Sequence, residues 1–121
     1  METLKLLIMM NQFEIWLADL NPRLGTESGK RRPVLIVQTD LLNHISHPST
    51  IVCPLTTNIS SGVDILRVQI NDRADYLHQN CDIMIDQIRS IDNRRLIRKL
   101  GDLPEDLKVK VKRNILICLD L

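Results

Sequence analysis

Two short stretches of this chain carry side chains suited to phosphate chemistry. The first is 23–33, Arg-Leu-Gly-Thr-Glu-Ser-Gly-Lys-Arg-Arg-Pro, where Lys30, Arg31 and Arg32 gather positive charge beside one carboxylate, Glu27. Two glycines let that backbone fold tightly, and Pro33 pushes Arg32 toward an extended conformation. A planar, permanently charged fork then emerges at a fixed point, which suits a phosphate. The second stretch is Thr56-Thr57-Asn58, directly after Pro54-Leu55. A hydroxyl at a strand end can donate to a phosphoryl oxygen. Each stretch also has a plainer account: most basic loops are simply solvated, and Thr at a strand end more often caps a turn. Further on, Asp86 and Gln87 are expected on opposite faces of a strand. Arg89, Arg94, Arg95, Arg98 and Lys99 are opposed only by Asp92. That cluster either flanks an RNA backbone or forms a solvated helix face.

Other chemistries find less support. His44-x-x-His47 and His78-x-x-Cys81 have the spacing of ligand pairs, but neither follows a zinc-knuckle pattern and Cys81 opens an apolar run. No metal or cofactor is expected. There is no Ser in a nucleophile elbow and no Gly-rich loop ending in Gly-Lys-Ser/Thr. The 16 Lys and Arg against 15 Asp and Glu leave a net charge of +1, which argues against a domain held on nucleic acid by bulk electrostatics. With only Phe13, Trp16 and Tyr76 as aromatics, a single-strand binder built on stacking platforms is equally disfavoured. Trp16 reads as core or interface packing.

The elements that must position these groups fit one domain of 121 residues. Hydrophobic residues at 44% are enough for a core and argue against disorder. Residues 13–20 read as a strand ending at Asn21-Pro22, 21–33 as a long, mobile loop, and 34–37 as a buried strand. A helical turn is expected over 41–47 with Asp40 as N-cap, then strands at 50–55, 63–70 and 81–88. Arg94–Leu100 reads as a short helix closed by Gly101, and Pro104 opens a terminal helix with Leu107, Val111, Ile115 and Cys118 on one face. About five short strands with short connections favour a small, strongly bent antiparallel barrel carrying that helix. Cys53, Cys81 and Cys118 read as buried free thiols of a reducing cytosol. The apolar run Leu6–Met10 is too short for a membrane span and lacks a cleavage signal. The expectation is a cytoplasmic protein with no membrane partner.

Taken in order, four segments resemble the MazF/PemK toxins. They are Glu14-Ile15-Trp16-Leu17-Ala18-Asp19-Leu20-Asn21-Pro22, then Gly25-Thr26-Glu27 with Arg32-Pro33-Val34-Leu35-Ile36-Val37, then Pro54-Leu55-Thr56-Thr57, then Asp86-Gln87-Ile88-Arg89-Ser90-Ile91-Asp92. The match begins near residue 12, so 1–11 is expected to be an N-terminal extension and 12–121 the toxin domain. The resemblance implies a mainly β protein with short helices, an SH3-like barrel that forms a homodimer. It also implies a metal-independent, sequence-specific endoribonuclease acting on single-stranded RNA. A cognate antitoxin protein would inhibit it, and DNA would be met only indirectly through that antitoxin. By motif, the catalytic pair falls on Arg32 and Thr56. Glu27 matches a loop Glu that is either general base or the group orienting Arg32. Lys30, Arg31, Asp86, Gln87 and Arg89 are the expected RNA contacts. Some relatives have His where this chain has Thr26, and some have Arg where it has Met84, so the Arg32/Thr56 form of the mechanism is favoured. The competing classes are a non-catalytic toxin of the same fold that poisons gyrase, and a module that binds RNA or antitoxin without cutting.

Overall fold

The computed structural model describes residues 9–62, 64–71 and 75–121. Among them, seven strands and two helices follow in the order β1 (Glu14–Asp19), β2 (Arg31–Ile36), α1 (Asp40–Asn43), β3 (Ser49–Thr56), β4 (Arg67–Ile70), β5 (Cys81–Met84), β6 (Arg89–Asp92), β7 (Leu96–Asp102) and α2 (Lys108–Leu119). Single 3-10 turns occupy Ile85–Gln87, Asn93–Arg95 and Glu105–Leu107. Every pairing is antiparallel. The strands run β4-β5-β3-β2-β1-β7, with β6 added beside β3. This is the expected mainly β fold with a C-terminal helix. The strand path does not close, however; β4 and β7 stand at its two ends.

Alternation along the strands builds a core on each face. Ile15, Leu35, Cys53, Leu55, Ile83 and Val111 belong to one cluster, with Leu107 and Ile115 of the C-terminal segment packed against it. Trp16, Ala18, Val34, Ile36, Val52, Ile91 and Leu96 belong to the other. Neighbouring residues such as Val34 and Leu35 thus serve opposite cores. Lys108 and Lys112 lie 5.7 and 5.5 Å from the centre of the Phe13 ring, so their charge covers the edge of the first core.

Several boundaries differ from expectation. β2 begins at Arg31, three residues early, because β1 pairs with it from Asp19↔Arg31 onward. The α1 cap is Thr39, whose side chain accepts from Leu41 N–H; Asp40 accepts from Gln12 N–H at 2.7 Å. Residues 64–66 form a turn ahead of β4, and Val63 lies outside the described residues. So do 1–8 of the expected N-terminal extension, whereas Met10 is buried in the second core. The expected strand 81–88 is broken by the Ile85–Gln87 turn. Cys118 is exposed, while Cys53 and Cys81 are buried free thiols.

The largest correction is at Arg94–Leu100, which is not a helix. It is a 3-10 turn leading into β7, paired along β1. Pairing with a formed neighbour overrides weak helical propensity. Gly101 lies within that strand beneath the Tyr76 ring, where a Cβ would sit 2.3 Å from two ring carbons. The Tyr76 hydroxyl donates to Asp102 O at 2.6 Å. Gly101→Ala is expected to cost about 1–3 kcal/mol in urea unfolding, with much of the loss absent when Tyr76 is also truncated to Ala. Equal losses in both backgrounds would remove the ring contact from the account.

Glu14 joins the two strands at the same end of that ladder, directly across from Asp102. It is 5% exposed and accepts from Asn11 N, Asn11 Nδ2 and Trp16 Nε1, each at 3.0 Å, with Lys99 Nζ at 3.1 Å. Burial raises its pKa, but these partners together outweigh burial and hold the carboxyl below its usual range. A depressed folded-state pKa stabilises the fold above the unfolded value and loses that contribution as pH falls toward the folded one. Glu14→Gln should therefore weaken the fold at neutral pH and flatten the decline of stability below about pH 4.5. Superimposable acid limbs for both proteins would contradict this.

Candidate functional site

The β2–β3 ladder decides which polar residues meet. Its register pairs Val34 with Pro54 and Leu35 with Cys53. Continued two residues toward the ladder's open end, the same register sets Arg32 across from Thr56, on the face shared by Val34 and Pro54. Both residues line an open cleft of about 400 Å³, together with Arg23, Glu27, Lys30, Asn58, Arg67 and Gln87. Four cationic side chains face one exposed carboxylate there.

Arg32 is half-buried and fixed at two points. Its Nε donates to Gly29 O at 2.8 Å and its Nη1 to Leu55 O at 3.1 Å. Both acceptors are neutral carbonyls, so nothing cancels the charge. Burial, and secondarily Arg23 nearby, pulls its pKa below the usual guanidinium range, yet a guanidinium stays protonated in proteins. Thr56 Oγ1 accepts from Asn58 N–H at 3.1 Å. Turn capping and donation coexist here: the cap uses a lone pair, and the hydroxyl proton remains free to donate.

Loop 21–30 is tied down around this pair. Lys30 N–H donates to Asn21 Oδ1 at 2.7 Å, and Leu20 N–H to Lys30 O at 2.9 Å. Gly29 packs so closely on Arg23 that a Cβ would lie 2.6 Å from Arg23 Cβ. The Ser28 hydroxyl is buried 3.9 Å from Met84 Sδ, so Met84 anchors the loop to β5. Glu27 N–H closes a turn on Leu24 O at 3.1 Å. Its side chain reaches the cleft without a hydrogen bond among the described residues.

Of the expected RNA contacts, Lys30 and Gln87 line the cleft. Gln87 Nε2 reaches Thr26 O at 3.4 Å. Arg31 does not, because strand alternation turns it to the opposite face, where it meets Asp19 at 3.7 Å. Asp86 is exposed outside the lining. Asp86 and Gln87 both belong to the Ile85–Gln87 3-10 turn and do not lie on two faces of a strand. Arg89 pairs with Val52 on β6 and also lies outside the cleft; its Nη1 is buried with no partner among the described residues. The basic run 89–99 is likewise dispersed. Arg94 pairs with Asp92 at 3.0 Å, Arg95 donates to Asp19 O at 3.0 Å and to Asn21 O, and Lys99 bridges Glu14 and Asp102.

Sequence reasoning missed Arg67 and Asp82. Asp82 is 1% exposed, accepts from Ser60 N–H at 2.9 Å and pairs with Arg67 Nη1 at 3.1 Å. The same Nη1 donates to Asn58 O at 3.1 Å. A signal existed: an acid inside the apolar run Cys81-Asp82-Ile83-Met84 must find a partner when buried. Among the described residues no group of three His, Cys, Asp or Glu side chains is placed to hold a metal. His44 Nε2 instead meets Asn11 Oδ1 at 2.8 Å, and His47 lies 3.4 Å from the Ser49 hydroxyl.

Residues 11–119 match the family model of the PemK-like, MazF-like toxins of type II toxin–antitoxin systems. The chain is 32% identical over 114 residues to the endoribonuclease EndoA of Bacillus subtilis, covering 94% of this chain and 97% of that one. It is 35% identical over 113 residues to the endoribonuclease MazF of Staphylococcus epidermidis, covering 93% of each. Its fold matches the crystal structure of MazF from Deinococcus radiodurans with a TM-score of 0.80 and 22% identity, over 94% of this chain and 99% of that one. It matches a MazE–MazF crystal structure from the same organism at 0.74 and 21% identity, over 94% and 98%.

Proposed function

The chain belongs to the PemK-like, MazF-like toxins of type II toxin–antitoxin systems, and from that premise we propose that it is an endoribonuclease that cuts single-stranded RNA at the Arg32–Thr56 cleft without a metal. The observation that carries the site is the meeting of an uncompensated guanidinium and a free hydroxyl across β2 and β3.

RNA carries its own nucleophile. The 2′-oxygen attacks the adjacent phosphorus, an O2′–P bond forms, and the P–O5′ bond breaks. The products are a 2′,3′-cyclic phosphate and a 5′-hydroxyl, the departing O5′ taking its proton from water. Negative charge grows on the phosphoryl oxygens during attack, and Arg32 and the Thr56 hydroxyl are the donors aimed at it. A half-buried setting strengthens such donation, and fixed donors need no reorganisation. Glu27 takes the 2′ proton. Arg32 is already oriented by the Gly29 and Leu55 carbonyls, which leaves the unbonded Glu27 carboxylate for the base role. Lys30 and Gln87 hold the strand within the cleft and Asp86 and Arg89 contact nucleotides beyond it, whereas Arg31, on the opposite face with Asp19, drops out of the RNA contacts.

An antitoxin whose acidic, extended tail enters the same cleft would compete for Arg32, and complexes of MazE with MazF in a relative of this fold support that partnership. The protein acts as a homodimer in the cytoplasm. No helix among the described residues is long and apolar enough to cross a membrane.

The test is incubation of purified protein with a long defined RNA in EDTA, followed by mapping of the cut ends. Cleavage should persist in EDTA and leave 5′-hydroxyl ends. Arg32→Ala and Thr56→Val should each lose about a hundredfold or more in rate, the worth of one transition-state donor at about 3 kcal/mol. RNA left intact under all conditions rejects the enzyme. Glu27→Gln should lower cleavage; full activity in that variant would assign the 2′ proton elsewhere.

A further inference from the structure

Two of the arginines that line the cleft, Arg32 and Arg67, are compensated differently. Arg32 is held by two neutral carbonyls and keeps its full charge. Arg67 is held by Asp82, a carboxylate with 2% of its side chain exposed, and by the Asn58 carbonyl, both through Nη1. An arginine neutralised by a buried acid contributes little to attracting a phosphate. It remains a rigid, planar donor whose orientation is fixed. Its Nε and Nη2 protons, which form the side edge of the fork, have no acceptor among the described residues, and the residue lines the cleft.

Register also separates the two. From β2 to β4 the strands run β2-β3-β5-β4, three inter-strand steps or about 14 Å between backbones. Thr56 pairs with Asp82, and Met84 with Arg67. Arg67 therefore addresses a nucleotide beside the one whose phosphate lies between Arg32 and Thr56.

We propose that Arg67, oriented by Asp82, is a specificity-determining residue that reads a base flanking the scissile phosphate through Nε–H and Nη2–H. The assignment rests on the endoribonuclease reading above. A side-edge fork needs two adjacent in-plane acceptors. Guanine offers them at O6 and N7 and cytosine at O2 and N3, whereas adenine and uracil have no two such acceptors side by side. The fork thus selects guanine or cytosine at one position next to the cut, in a single strand whose base edges are free. Asp82 is the positioning residue: it acts only through Arg67 and the Ser60 end of the 57–62 loop.

The test maps cut ends in an RNA pool of randomised sequence, in EDTA, over a series of KCl concentrations. Arg67→Lys keeps a cation beside Asp82 and so protects the fold, but it lacks the planar fork. Arg67→Gln combined with Asp82→Asn removes both charges together, so no buried carboxylate is left unpaired. Wild-type protein should require G or C at one flanking position, and the sequence found there distinguishes the two bases. Both variants should lose about tenfold to a hundredfold of that preference while the salt dependence of cleavage is unchanged. Retention of the preference in both variants overturns the assignment. A preference that survives while the log–log salt slope becomes shallower by about 0.7 in the doubly substituted protein also overturns it, since that is the mark of a lost phosphate contact. Wild-type protein that leaves the pool uncut instead rejects the endoribonuclease reading, and this assignment with it.

Discussion

Pairing of β3 on both of its edges is the constraint on which the rest of the molecule depends. One edge carries β2; the other carries β6 along Ser49–Val52 and β5 along Leu55–Thr56. Between those two partners, Cys53 and Pro54 face the break made by the Ile85–Gln87 turn. A proline lacks the donor a continuous ladder would need, and Pro54 stands where that edge has none to fill. The same strand divides the two cores, giving Val52 to one and Cys53 and Leu55 to the other. Because side chains alternate with period two, a slip of one residue between β2 and β3 would exchange Arg31 for Arg32 at the cleft and turn both cores inside out. Burial of the apolar partners therefore enforces the register that the site requires.

Charge is handled by the same economy. Acids that could have cancelled the cleft are engaged within the fold: Asp82 by Arg67, Glu14 by Lys99, Asp92 by Arg94 and Asp19 by Arg31. Net charge near zero thus coexists with a site where Arg23, Lys30 and Arg32 have no carboxylate partner among the described residues. Long-range attraction for RNA is weak in such a protein. Discrimination must then come from short-range, directional hydrogen bonds, and a scarcity of aromatics removes stacking as an alternative.

What the sequence made legible was local. Arg32 before Pro33 and Thr56 after Pro54-Leu55 could be singled out because each is defined by its immediate neighbours. Their meeting could not, since it depends on a register between strands thirteen residues apart in the chain. The Arg67–Asp82 pair was hidden for the same reason: it is a diagonal across β4 and β5, with Gln69↔Asp82 and Arg67↔Met84 as the direct pairs. β7 was misread because Leu96 and Leu100 also fit a helical spacing, and only contact with β1 distinguishes the two. Arg31 shows the limit of composition. It belongs to the basic run, yet alternation sends it to the far face.

Rigidity at Arg32 follows from these non-local facts and bears directly on the catalytic role proposed for it. Its two carbonyl acceptors belong to different segments, Gly29 at the loop end and Leu55 on β3. Gly29 can sit there only because it has no Cβ to strike Arg23, and Leu55 is fully buried. The guanidinium is therefore oriented before substrate arrives, so little rotamer entropy remains to be lost on binding. Carbonyl tethers achieve this without neutralising the cation, which a carboxylate tether would do. The opposite choice at Arg67 yields an equally fixed fork with little net charge. One fold thus fixes two arginines with different net charge, and what decides between them is the acceptor each was given.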